Sequence, residues 1–142
     1  MFIYILMHYS DRKSLVPEII TLTILVGAGH LLFERYSFYY IIPKLDMLMH
    51  LLGGILIGLI VLKIFFTGKR AMIAHQHKVF TAVVAFVCVM IVGVGWEVFE
   101  YGVGLTPLYK VATQDTLSDL VFDASGALVA VLWYFKKIWH TG

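Results

Sequence analysis

Acidic residues and histidines recur at helical spacing in four segments of this 142-residue chain. His30 and Glu34 are four apart, as are Asp46 and His50. Glu97 and Glu100 are three apart, and Asp115, Asp119 and Asp123 form two successive steps of four. Positions three or four apart share one face of an α-helix, so each segment carries its ionisable groups as a stripe. Carboxylate oxygens with imidazole nitrogen suit Zn, Mn or Fe(II), and oxygens alone suit Mg or Ca. The expected chemistry is therefore that of a divalent metal ion (Zn, Mn, Fe or Mg). Its expected ligands are Asp46, His50, Glu97, Glu100, Asp119 and Asp123. His30, Glu34 and Asp115 are expected to support them from behind. Glu100, as general base, and Asp119 are the expected catalytic carboxylates.

Such a site needs elements to position it, and the composition says which. The chain is 61% hydrophobic and 14% charged, with a mean hydropathy of +0.89. Soluble domains are roughly half apolar and about one-quarter charged, so a soluble monomer, a disordered chain and a disulfide scaffold are excluded. A bilayer-spanning helix needs roughly 20 mostly apolar residues. Four stretches qualify, at about 15–34, 46–66, 79–102 and 116–139. Pro17 suits the first turn of the first. Pro43, Gly68-Lys69-Arg70, Gly104 and Pro107 punctuate the intervening loops. The expected fold is an all-α integral membrane protein: one transmembrane domain over 1–142, a four-helix up-down bundle with a short N-terminal apolar segment. Residues 1–9 are too short to span and do not read as a signal peptide, because Arg12 and Lys13 follow the apolar run. Whether that segment lies on or in the membrane stays open.

Threading the four spans gathers the acids. Eight of the eleven Lys and Arg residues fall on the side of both termini, which predicts cytoplasmic termini in an inner, multi-pass location. Seven of the nine acids then lie in the outer half of the bundle, with His30 and His50. At 1.5 Å per residue, Asp123 lies roughly 12 Å below Asp115, close to mid-membrane. Ionisable groups at that depth face a bundle interior, and like charges there cannot all stay ionised unless a cation joins them. Gly27, Gly53, Gly54, Gly93 and Gly126 lie on the same faces and are expected to let the helices approach closely. Gly54 and Gly58 also form a G-x-x-x-G that would equally serve a homo-oligomer contact.

Plainer roles compete at several positions. Asp46 and Asp115 suit helix N-caps, and Glu34 suits pairing with Arg35 or Lys44. His75 and His77 read as solvated loop residues. Tyr39, Tyr40, Trp96, Tyr101 and Tyr109 read as an interfacial aromatic belt, with Trp96 and Tyr101 also able to line a pocket. The single Cys88 forms no intrachain disulfide.

Three motifs, taken in order, resemble a known group: D-x-x-x-H at Asp46 and His50, W-E-x-x-E from Trp96 to Glu100, and D-x-x-x-D-x-x-x-D from Asp115 to Asp123. The chain resembles the YjdF-like family of small bacterial and archaeal inner-membrane proteins, over helices 2 to 4. More distantly it is similar to VanZ-like proteins. Ser118 stands where that family often carries an aromatic residue, which bears on pocket shape and leaves the carboxylates in place. The resemblance supports a site without naming a reaction.

Three functions follow as expectations. The first is a metal-dependent hydrolase or transferase acting on membrane lipid headgroups or lipid-linked precursors. No nucleophile motif such as G-x-S-x-G is present, and the paired E-x-x-H of di-iron bundles is absent. The second is a metal-sensing, structural or assembly protein. The third is a cation or proton transporter, against which 56–62, 83–92 and 128–135 offer no ionisable group except Cys88. With a net charge of only +2, nucleic acid is not an expected partner.

Overall fold

The computed structural model describes residues 14–42, 44–104 and 112–139. The N-terminal apolar segment, Pro43, Pro107, Tyr109 and Lys110 lie outside the described residues. Among the described residues, six α-helices follow one another: α1 (Val16–Arg35), α2 (Phe38–Ile41), α3 (Leu45–Phe66), α4 (Ala71–Gln76), α5 (Lys78–Val103) and α6 (Ala112–Trp139). Among the described residues there is no strand. Helices α1, α3, α5 and α6 are each long and apolar enough to cross a membrane.

Local chemistry sets the ends of these helices. Pro17 occupies the first turn of α1, where a missing N–H leaves nothing unsatisfied. Helix α5 stops at Gly104, whose φ of 71° is left-handed and whose N–H returns to the Tyr101 carbonyl at 3.3 Å. Thr67 is extended and ends α3. Two segments expected as loops contain short helices instead. Helix α2 sits between the first two spans, and a 3-10 turn (Gly68–Arg70) followed by α4 sits between the next two. His75 therefore lies on a helix; both it and His77 are exposed. The expected caps also move. Asp46 and Asp115 lie within first turns, where the helix dipole favours an acid.

Packing is uneven. Helices α3 and α6 share the largest interface, and α5 packs against both. Their core is Leu59, Leu62, Phe66, Ala85, Ala130, Val131 and Tyr134, joined by Leu15 and Ala74. The Tyr134 hydroxyl donates to the Phe66 carbonyl and closes the end of α3 against α6. Helix α1 leans on α3 and has no fully buried residue. It is tied to α6 at one end by Lys137, which donates to the Ser14 carbonyl at 2.7 Å and to Glu18 at 2.5 Å. Ile24, Ile91, Val121 and Leu132 point outward from the bundle, as lipid-facing side chains do.

The glycines divide into two kinds. A Cβ on Gly54 would meet the Asp123 carbonyl at 2.5 Å, one on Gly58 would meet the Ala130 Cβ at 2.7 Å, and one on Gly126 would collide with the Leu51 carbonyl. These glycines let α3 and α6 touch backbone to backbone, so Gly54-x-x-x-Gly58 is an internal contact. A Cβ on Gly27 or Gly53 would meet nothing within 4 Å. Those two do not serve close approach, because α1 stands away from the other helices on that side.

Candidate functional site

His50 is the centre of the site. It sits on α3, 6% exposed, and four carboxylates from three helices surround its ring. Nδ1 lies 3.3 Å from Asp123 Oδ2, within hydrogen-bonding range. Nε2 faces Asp46 at 4.0 Å, Glu97 at 3.8 Å and Asp119 at 3.9 Å. Those three separations are too long for hydrogen bonds.

Helical spacing and glycine packing explain how so many acids meet. Asp46 and His50 share a face of α3, and Asp119 and Asp123 share a face of α6. The α3/α6 seam brings the two faces together. Asp123 fits because Gly54 and Gly93 lack side chains: a Cβ on Gly93 would collide with the Asp123 carboxylate. Helix α5 adds Glu97, whose Oε2 accepts from Thr116 Oγ1 at 2.7 Å, and Glu100, whose Oε1 accepts from Trp96 Nε1 at 2.9 Å.

Two carboxylate oxygens at the centre, Glu97 Oε1 and Asp119 Oδ1, are buried with no hydrogen-bond partner. Asp119 as a whole is only 1% exposed. Burying an unpaired polar atom is costly, so such atoms call for a partner. Two sets of donors lie close enough to share one ion: Asp46, His50 and Asp119, and His50, Glu97 and Glu100. Within each set the donor atoms are within 4.8 Å of one another.

A cavity of about 460 Å³ opens beside the cluster. Asp46, His50, Glu100 and Asp123 form its polar end, and Val26, Leu56, Ile57, Val89 and Val92 line its depth. His30, Tyr39 and Trp96 stand at its rim. The His30 ring bonds the Tyr39 hydroxyl at 3.0 Å and meets Trp96 edge-on at 5.5 Å. Tyr39 lies outside the four spans. Burial first, then the Asp46, Glu100 and Glu34 charges, push its phenol well above the ordinary value of 10.

The residues singled out from sequence thus separate. Asp46, His50, Glu97, Glu100 and Asp119 converge. Asp123 joins them on the opposite ring nitrogen of His50, outside both donor sets. Asp119 is not among the described residues lining the cavity. Asp115 is half-buried in the first turn of α6, outside both donor sets. His30 serves the rim, and Glu34 is exposed, because α1 packs mainly on α3 and carries its stripe past the cluster. Tyr39 and Thr116 escaped notice as site residues. Thr116 is three before Asp119, a usable signal; Tyr39 sits on a short helix that no periodicity marked. Tyr101, at 78% exposure, is no part of the pocket.

A family model described as "Predicted membrane protein (DUF2238)" matches residues 1–140. The chain belongs to that family. The match covers nearly the whole chain and agrees with the YjdF-like resemblance of its motifs. No curated protein and no solved structure matches it. This DUF2238 chain is accordingly a multi-pass membrane protein with a buried His/Asp/Glu cluster inside its bundle.

Proposed function

We propose that the cluster holds a divalent cation and that the protein uses it to hydrolyse or transfer the headgroup of a membrane lipid or lipid-linked precursor. The observation that carries this reading is the ring of three carboxylates around His50 Nε2, two of them with buried, unpartnered oxygens. Ligands about 2.1 Å from a common ion stand roughly 3.0–3.4 Å apart. The 3.8–4.0 Å separations observed here need only a small contraction around such an ion. His50, Asp46, Asp119 and Glu97 are the ligands on this reading. Asp123 holds Nδ1 and so directs Nε2 to the ion, the usual carboxylate–histidine–metal arrangement.

When bound, such a cation would supply Lewis-acid polarisation of a phosphoryl or carbonyl oxygen and a more acidic water. Glu100 lies at the cavity edge, where it would take a proton from the attacking water as the water oxygen bonds to phosphorus or carbon, and would return that proton to the leaving alcohol as its bond breaks. The excess of Lys and Arg at the other end of the bundle favours an outward-facing site in an inner membrane, with both termini cytoplasmic.

Elemental analysis of protein equilibrated with Mn²⁺ or Zn²⁺ tests the site. Stoichiometric metal is expected, and it is lost in His50→Ala and Asp119→Asn. Glu100→Gln should keep the metal and lose turnover of lipid in vesicles. Wild-type protein that binds neither ion would sink the proposal. Metal retained by a protein inert toward lipid would favour a structural or sensing role. The apolar core below the cluster, Leu59, Leu62, Ala85 and Ala130, gives transport no support.

A further inference from the structure

We propose that the apolar arm of the cavity takes one hydrocarbon chain of a membrane phospholipid, which enters sideways between α1 and α5. The chain site rests on the cavity itself; placing the lipid phosphate at the cluster rests on the metal reading above. Helix α1 packs on α3 but not on α5. The two are bridged at the rim, where His30 meets Trp96. Below that bridge the cavity continues along Val26, Leu56, Ile57, Val89 and Val92. Ile57 is seven residues beyond His50, so the arm runs roughly 10 Å along the helix axis from the cluster. All of these residues lie within the spanning segments, so what borders the gap is hydrocarbon, not water.

Gly27 and Gly53 line this arm with open space before them. At Gly54, Gly58, Gly93 and Gly126 the corresponding space is filled by neighbouring backbone, by the Ala130 Cβ or by the Asp123 carboxylate. Space left beside two glycines at bilayer depth has room for a chain. The polar end fixes the rest of the ligand. Among the described residues lining the cavity, none is Lys or Arg. An anionic phosphate would therefore be held there through the divalent ion, whose hard character suits phosphate oxygen. A phospholipid lying with one chain in the arm satisfies both ends.

The test uses full-length protein in vesicles of phosphatidylethanolamine and phosphatidylglycerol. Some of the phosphatidylglycerol carries a photoactivatable diazirine midway along one chain. Labelled positions are read by mass spectrometry, and metal content is measured on the same samples. Label is expected at Ile57, which lines the cavity and is half-buried. Gly27→Phe should abolish label at Ile57 and leave label at the outward Leu132 unchanged. Gly53→Phe plugs the same arm from α3 and provides the same reading if the first variant fails to fold. Label confined to outward positions such as Leu132 and Ile91 overturns the proposal, as does label at Ile57 that survives both plugs. Label at Ile57 in protein that binds no metal supports the chain site and removes the metal reading. Metal bound without label at Ile57 keeps the metal reading and overturns the chain site.

Discussion

The seam between α3 and α6 and the gap between α1 and α5 are built from the same residue types with opposite results. In the seam, Gly54, Gly58 and Gly126 bring two backbones together, and Asp123 fills the space beside Gly93. At the gap, Gly27 and Gly53 face open space, and α1 contributes no fully buried residue. The seam also holds the buried acids and His50, whereas the gap is lined by aliphatic side chains. The lesson is that a glycine on an inward stripe acquires its meaning from what stands opposite. With a backbone opposite, it sets a helix-to-helix distance. With nothing opposite, it leaves volume for something else.

Substitutions can break or sharpen this contrast. The largest effect is expected in the seam. Gly126→Val forces a side chain into the Leu51 carbonyl and should cost about 3 kcal/mol or more, read as loss of cooperative unfolding in detergent. Next comes the seam's polar content. His50→Ala should weaken Mn²⁺ or Zn²⁺ binding at least ~100-fold in a titration, since loss of mere supporting partners already costs 10- to 100-fold. At the gap the sign reverses. Gly27→Ala and Gly53→Ala should each stabilise by about 0.5–1 kcal/mol, because helix propensity rises with no clash. Destabilisation by either would show that the space is not open.

A smaller effect is expected where α1 is tied to α6. Lys137 and Glu18 are about one-fifth exposed, so Lys137→Met should cost ~1 kcal/mol or less in the same unfolding assay. The smallest concerns the rim. The Tyr39 phenol has a raised pKa when folded, so the folded state holds its proton where the unfolded chain releases it. That contribution is fully present below the ordinary value of 10 and is lost as pH rises beyond it. Melting temperatures of wild type and Tyr39→Phe should therefore run parallel below about pH 9 and converge above about pH 10. Parallel curves at all pH values would show that Tyr39 does not feel the Asp46, Glu100 and Glu34 charges.

Much of the site could be read from spacing. Asp46, His50, Glu97, Glu100 and Asp119 follow from helical periodicity plus the cost of exposing charge to lipid, which forces such stripes inward. What spacing could not give was their division of labour. Asp119 and Asp123 look equivalent in sequence, four apart on one face. In the bundle, one carries a buried oxygen without a partner and the other bonds Nδ1 of His50. His30 and Glu34 obey the same rule as the rest and still miss the cluster, because periodicity fixes a face and leaves open which neighbour the face meets.

The sequence by itself determined the class, the four spans and the identity of the converging acids. These are properties of single helices in a bilayer: length, apolar content and the face on which a charge sits. Tertiary structure alone decided that α1 would stand apart and leave a cavity, which ring nitrogen each carboxylate would face, and which glycines would be filled. Those outcomes depend on how closely helix pairs approach. That distance is set by both surfaces at once and is written in neither.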